Sequence, residues 1–314
     1  MKTKLIIHPD ELNKRWIDRA YENGVSVIGI HCVGNLEAHL NLARDLNLFK
    51  SDGFKRYIDY AKSKGIEIEY ELHAISHLLP RDLFETHPEY FRVDESGNRV
   101  KQANFCASSE EGLEVIANNA VELVKNLYGS SNNYFLWTDD LKGGYCKCEK
   151  CKNLSPSDQN LILMNAIIKK LKIVNPNAKI AYLAYYDSLN VPKTVKPEDG
   201  VFLEYAPYER DLYKPAIQTL NQEEIAKIKE LLKFFGKENS WVLEYWVDNS
   251  YFSGYKKPPK ELKINAEDIK KDIEFYKNLG FENISSFACF LGEDYSNLYG
   301  EPNVCAFNAT ANKK

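Results

Sequence analysis

Eight short strand-like runs recur along this chain, at 4–8, 25–31, 66–73, 134–139, 179–186, 201–205, 241–246 and 284–290. Amphipathic patterns of helical period separate most of them, at 10–23, 53–63, 109–127, 157–174, 222–235 and 265–279. Several of these patterns stop at a glycine, Gly24, Gly65, Gly236 and Gly280, where a helix C-cap before a strand is required. Strands that alternate with helices pair in parallel, because the crossover carries the chain back to the starting edge. Eight such units predict an α/β fold, a single (β/α)8 TIM barrel spanning 1–314.

Three stretches depart from an ideal barrel. The segment 187–200, with Pro192 and Pro197, has no room for a full helix, so strands 5 and 6 are expected to be joined by a loop or a single turn. The third strand alternates Glu67, Glu69 and Glu71 with Ile66, Ile68 and Tyr70, which reads as a half-solvated strand. Only residues 292–314 follow the last strand, which leaves space for a short closing helix. The longest insertion, 74–108, follows the third strand and reads as a hairpin around Gly97 and Asn98. On a barrel such an insertion sits over the active face.

A chain of 314 residues, 44% hydrophobic and with a formal net charge of -4, can bury a large core and carries no basic surplus for nucleic acid. No apolar run is long enough to span a bilayer, and three apolar residues ahead of His8 and Pro9 are too few for a secretory core. The expectation is a cytoplasmic protein with no nucleic-acid or membrane partner. Seven cysteines, an odd count, point to thiols or a metal site in a reducing compartment rather than a disulfide framework. The 20 tyrosines and 4 tryptophans suit core packing first and sugar recognition second. Nothing in the residues specifies an oligomer.

The active face of a barrel is built at the C-terminal ends of its strands. The residues there are polar or aromatic: His8, His31, His73, Asp139 with Asp140, Tyr185 with Tyr186 and Asp187, Tyr208 with Glu209 and Arg210, Glu244 with Trp246 and Asp248, and Glu293 with Asp294. Carboxylates among aromatics and an arginine are the parts glycosidic cleavage needs: one acid protonates the leaving oxygen and a second group meets the positive anomeric carbon. Asp139 and Asp140 are the candidate catalytic pair, with Asp139 orienting a substrate's 2-acetamido group and Asp140 serving as general acid and base. The plainer alternative is that Asp140 opens a turn and only Asp139, or neither, faces the cleft. His31, His73, Tyr185, Arg210, Glu244 and Trp246 are the candidate substrate-binding residues. Glu71 reads as solvated and Glu204 as an interior carboxylate with a partner. Glu244 and Trp246 are in phase, so they share a face on which Trp246 either stacks on a sugar or packs the core. The run 256–259 reads as a solvated loop.

Cys146, Cys148 and Cys151 have compact metal-ligand spacing, and Cys106, His77 or His87 would complete a tetrahedral zinc site. The second separated pair of a strong zinc signature is missing. Free thiols packing a loop are therefore the expectation, with no metal and no cofactor assigned.

Together, several motifs resemble the family known as domain of unknown function 4838. They are the run 87–91, the turn at Gly97, Asn98 and Arg99, the run 104–106, Trp137 with Asp139 and Asp140, and the three-cysteine motif. Asn165, Tyr182 with Tyr185, and Arg210 complete the pattern, which covers roughly 74–211. Characterised relatives of that family include endo-β-N-acetylglucosaminidases of glycoside hydrolase family 163. The resemblance implies a TIM-barrel catalytic domain and a retaining, substrate-assisted mechanism, with Asp139 as the acetamido-orienting acid and Asp140 as the acid/base. The acid pair is also similar to that of O-GlcNAcases and hyaluronidase-type enzymes. Two departures bear on the substrate. Many members are long secreted proteins with accessory domains, whereas a bare barrel implies a short imported or intracellular glycan. Close relatives carry Asp-Glu where this chain has Asp-Asp, one methylene shorter, which argues against endo action. Competing readings are an inverting or Asp-nucleophile glycosidase on an unsubstituted or uronic sugar, using Asp139 or Asp140 with Glu244, and a catalytically silent barrel that binds a glycan.

Overall fold

The alternation folds into a closed barrel of eight parallel strands in sequence order, in a computed structural model that describes residues 1–304. In chain order the elements are β1 (Thr3–Ile7), α1 (Lys14–Glu22), β2 (Val27–Ile30), α2 (Ala38–Lys50), α3 (Asp52–Ser63) and β3 (Glu67–His73). There follow α4 (Ile75–Leu78), α5 (Glu110–Val124), β4 (Asn133–Trp137), α6 (Pro156–Val174), β5 (Lys179–Ala184), β6 (Val201–Tyr205) and α7 (Ala216–Thr219). The last are α8 (Gln222–Phe235), β7 (Trp241–Glu244), α9 (Asn249–Phe252), α10 (Ala266–Leu279), β8 (Asn283–Phe287) and α11 (Glu293–Tyr299). All eight expected strands are present. α8 spans the expected 222–235, and α11 is the short helix after the last strand.

Local chemistry explains the boundaries. Ser155 caps α6, accepting from the amide of Asp158, whose carboxylate accepts from the Ser155 amide in return. Gly280 ends α10 at φ 110°, a conformation that only glycine adopts without strain. The sequence pattern did not reveal α2. It buries Ala38, Leu42 and Phe49 but also Asp45, and it leaves Leu40 exposed, so its apolar stripe is interrupted.

The chain groups into two compact units: residues 1–31, 52–69 and 204 onward in one, and residues 32–51 with 70–203 in the other. In the first, Lys4 of β1 pairs with Glu69 of β3 at 2.9 Å, and its ammonium lies 4.0 Å from the Trp241 ring centroid. All three are fully buried. Side chains of β1 and β3 meet with β2 between them only on the concave side of a sheet. Glu69 and, in phase with it, Glu71 therefore point to the barrel interior, and the half-solvated reading of this strand is corrected for these two; Glu67, at its start, is half-buried and pairs with Lys2. A buried ammonium and an aromatic face compensate the carboxylate that solvent was expected to receive. Glu71 and Glu204 are likewise fully buried, so Glu71 is not a solvated strand-end residue.

In the second unit, β5 leads into one turn of 3-10 helix, Tyr186–Ser188, and then a loop through Pro192 and Pro197. Asp158 of α6 holds this loop by accepting from the amides of Lys193, Thr194 and Val195 at 2.9, 2.7 and 3.2 Å. Asn165, two turns on, accepts from the Glu198 amide and donates to the Lys196 carbonyl. These bonds satisfy the backbone that a crossover helix would otherwise satisfy internally. The insertion carries the expected turn: the Asp94 amide donates to the Asn98 carbonyl, and Val93 and Arg99 form an antiparallel bridge around Gly97 at φ 82°.

Candidate active site

β4 is a run of apolar and aromatic residues whose last four are buried, and the chain leaves it through Thr138, Asp139 and Asp140. Its two acids have different surroundings. Asp139 is 5% exposed, and the protein itself occupies its carboxylate. Oδ1 accepts from the Ser76 amide at 3.1 Å, while Oδ2 accepts from the Ser76 hydroxyl and the Asn104 amide, both at 2.6 Å. The Asp139 amide donates to Asn104 Oδ1 at 2.8 Å, and Asn104 Nδ2 donates to the Gly144 carbonyl at 3.0 Å. Ser76 and Asn104 both belong to the insertion 74–108, so Asp139 fastens that insertion to the end of β4. Three protein donors thus hold the carboxylate that was expected to orient a substrate acetamido group.

Asp140 is half-buried and accepts from the Tyr185 hydroxyl at 3.2 Å through Oδ1. His73 stands near it. A Cβ added to Gly34 would lie 3.1 Å from His73 Cδ2 and 3.7 Å from Asp140 Oδ2, so the two side chains converge on one glycine. His73 Nδ1 lies 2.6 Å from the Thr138 carbonyl, which can only accept, so Nδ1 carries the proton. The imidazole packs edge-on against Trp137, with ring centroids 5.2 Å apart. Beyond Tyr185 its ring meets Tyr186 at 3.9 Å, and Lys142 reaches over the Tyr186 ring. The Gly143 amide donates to Asp187 Oδ2 at 2.5 Å, tying the loop after β4 to the end of β5. The structure thus brings together Asp140, His73 and Tyr185 from the expected set. Asp140 is the more exposed of the two acids, an arrangement that neither reading of the pair anticipated. Cys146, Cys148 and Cys151 converge on Cys106, two residues from Asn104.

In the other unit, three expected substrate-binding residues are buried and bonded to protein groups. Glu244 is fully buried; Arg210 Nη2 donates to its Oε2 at 2.7 Å, and Arg210 Nε and the Tyr276 hydroxyl donate to its Oε1 at 3.2 and 2.5 Å. Trp246 Nε1 donates to Asp272 Oδ2 at 2.9 Å, and Asp272 lies 3.6 Å from the same guanidinium. Asp272 and Tyr276 are on α10, so Arg210, Glu244 and Trp246 form the wall between β7 and that helix. This corrects their assignment to substrate. Burial opposes the charge on Arg210, but the Glu244 carboxylate more than compensates and keeps it ionised. Burial, with the Glu244 charge behind it, pushes Asp272 up to about 6.

The reason is parity. Glu244 and Trp246 do share a face, as expected, but it is the face opposite Trp241, Leu243 and Tyr245. Tyr245, not singled out from the sequence, stacks on Phe287 at 5.5 Å and meets Tyr208 edge-on at 5.1 Å. The contact of Trp241 with Lys4 fixes which face is interior; the alternation alone does not. His31 is 6% exposed and sits against Phe287 and His8, with ring centroids 5.0 and 6.0 Å away. Asp248 is buried as the N-cap of α9, accepting from Ser250.

Residues 42–291 match the profile of DUF4838, a domain of unknown function. The chain belongs to this family. A comparison with curated proteins found no match. Among solved structures, this DUF4838 chain is similar to the β-galactosidase of the psychrophilic Marinomonas ef1, at 13% identity and a TM-score of 0.55, covering 91% of this chain and 54% of that one. It thus spans about half the length of that enzyme. A GH20 catalytic module of the pneumococcal exo-β-D-N-acetylglucosaminidase StrH aligns at 13% identity and TM-score 0.51 over 98% of this chain and 82% of its own. The glycoside hydrolase domain of PelA from Pseudomonas aeruginosa aligns at 12% identity and TM-score 0.50 over 91% and 95%. At such identities these likenesses describe the barrel fold. Among the described residues no helix is long and apolar enough to cross a membrane.

Proposed function

We propose that this DUF4838 chain is a glycoside hydrolase that releases a β-linked N-acetylhexosamine with retention, the substrate's own acetamido oxygen acting as nucleophile and Asp140 as general acid and base. One observation carries this reading. Of the three acids for which the competing mechanisms contend, Asp139, Asp140 and Glu244, two are consumed by buried protein donors and Asp140 keeps an exposed edge. A mechanism that needs one protein carboxylate fits that supply, whereas the two-carboxylate alternative with Glu244 loses its second acid.

In the first step Asp140 gives its proton to the glycosidic oxygen as the bond to the anomeric carbon breaks, and the acetamido carbonyl oxygen closes on that carbon. In the second, Asp140 takes a proton from water as the water oxygen attacks the same carbon and reopens the ring. The Tyr185 hydroxyl holds Asp140 in place, and the protonated Nδ1 of His73, anchored on the Thr138 carbonyl, orients its ring beside the acid. Hydrolysis of β-linked N-acetylglucosamine exists on this barrel fold, as the name of the pneumococcal enzyme states. A reducing, cytoplasmic location belongs to the same proposal. Four thiols within 4.8 Å of one another and unjoined by disulfides are in keeping with it.

The test is turnover of paired aryl glycosides, 2-acetamido and 2-hydroxy, by wild type and Asp140→Ala. Participation requires activity on the N-acetyl sugar alone and a loss of about 10²-fold or more in the variant. Equal turnover of both sugars would sink the mechanism. Sugar binding without turnover would make the chain a glycan-binding barrel.

A further inference from the structure

Four cysteines far apart in the chain bring their sulfurs to one point. Cys106 lies at the end of the insertion, and Cys146, Cys148 and Cys151 lie on the loop after β4. Cys106 Sγ is 3.5 Å from Cys146 Sγ, 3.7 Å from Cys148 Sγ and 3.9 Å from Cys151 Sγ, and all four sulfurs fall within 4.8 Å of one another. A disulfide needs its sulfurs about 2.05 Å apart. Four thiolates around one zinc at about 2.3 Å stand about 3.8 Å from each other, the edge of the tetrahedron. The three separations from Cys106 match that edge. An iron–sulfur cluster would hold the sulfurs further apart, since irons and sulfides must fit between them.

The surroundings suit thiolate ligands. The Val93 amide donates to Cys146 Sγ at 3.3 Å, and the Ser108 hydroxyl lies 3.3 Å from Cys106 Sγ and 3.5 Å from Cys148 Sγ. Such donors spread the charge that a tetrathiolate site accumulates. A tight turn, with the amides of Cys151 and Lys152 both donating to the Cys148 carbonyl, folds the last two ligands back on each other. Cys106, Cys146 and Cys151 are buried and Cys148 is half-buried, which leaves one side for entry of the ion.

We propose that Cys106, Cys146, Cys148 and Cys151 bind one zinc ion, a structural tetrathiolate site that fastens the insertion 74–108 to the loop after β4. Binding releases the thiol protons, because the ligands are thiolates. All four positions are filled by protein, so the ion is closed to water and does no chemistry. The fourth ligand is Cys106. Neither His77 nor His87 joins the group, and the His87 ring instead meets Glu89 at 3.2 Å. Two residues from Cys106, Asn104 makes its paired hydrogen bonds to Asp139, so the ion stiffens the frame from which Asp140 is presented. The proposal does not depend on the glycosidase reading, because metal content is measured whatever the chain hydrolyses.

The experiment is metal analysis of the chain expressed in zinc-containing medium and purified without chelator. About one zinc per chain is expected, retained in Cys32→Ala, a buried thiol outside the cluster, and lost in Cys148→Ser. Cobalt exchanged into the wild-type chain should show thiolate-to-metal charge transfer and the intense visible bands of a tetrahedral ion, a readout that does not depend on any variant folding. The proposal is overturned by zinc below about a tenth of stoichiometry, by iron in its place, by a disulfide among the four cysteines, or by cobalt spectra without a thiolate band.

Discussion

Asp139 and Asn104 clasp each other by two hydrogen bonds: the Asp139 amide donates to Asn104 Oδ1 at 2.8 Å, and the Asn104 amide donates to Asp139 Oδ2 at 2.6 Å. The Asn104 side chain also donates to the Gly144 carbonyl. Asn104→Ala leaves two buried backbone groups unpaired, so it should cost about 2–3 kcal/mol in chemical denaturation. It should also lower kcat, because the residue after Asp139 carries the acid. Full stability in Asn104→Ala would contradict the clasp.

Gly34 lies where His73 and Asp140 converge. In Gly34→Ala the new methyl meets the imidazole at 3.1 Å, tighter than an ordinary contact, and must push it aside. Thermal stability should change little, whereas kcat/KM should fall about tenfold, corresponding to about 1.4 kcal/mol. Unchanged kinetics would place His73 outside the site.

Tyr185→Phe removes the hydroxyl that donates to Asp140 while keeping the ring against Tyr186. A lost hydrogen bond is worth about 0.5–1.5 kcal/mol, so kcat should fall about 2- to 10-fold with the fold intact by circular dichroism. A wild-type kcat would remove Tyr185 from the mechanism.

Glu244→Ala distinguishes a wall residue from a substrate ligand. It strands the Arg210 guanidinium in a buried site, which costs about 3–5 kcal/mol. KM for the aryl glycoside should be unaltered at temperatures where the variant is folded. A raised KM in a stable variant would restore Glu244 to the substrate.

Glu11 sets a pH dependence of stability. Its carboxyl is buried, with Oε1 lacking a hydrogen-bond partner, and burial above all pushes it from 4.5 up to about 8. The folded state then holds a proton that the unfolded chain gives up, so this contribution is complete below pH 4.5 and is lost as pH rises through about 8. Asp248, raised to about 6 by burial, acts in the same direction. The melting temperature should fall between about pH 5 and about pH 8, and Glu11→Gln should flatten that slope by about one proton. A wild-type slope in the variant would show that the side chain does not titrate there.

Much of the barrel is legible in the residues. Strand and helix periods and the glycines that end helices are local signals, and each produced its element. The missing crossover helix between β5 and β6 was readable from Pro192 and Pro197 for the same reason. The helix α2 was not, because Asp45 and Leu40 break its stripe.

The sequence by itself determined that eight strands alternate with helices, that two acids end the fourth strand, and that three cysteines follow within a few residues. These follow from spacing along the chain, which local backbone geometry converts directly into structure. Only the tertiary structure decided that Asp139 faces the insertion while Asp140 is presented, that Glu244 and Trp246 turn toward α10, and that Cys106 is the fourth sulfur. Each of these depends on a partner 26 to 63 residues away, Ser76 for Asp139, Tyr276 and Asp272 for Glu244 and Trp246, and the cysteine loop for Cys106. Alternation says that two side chains lie on the same face, but the packing of the rest of the molecule decides which face that is.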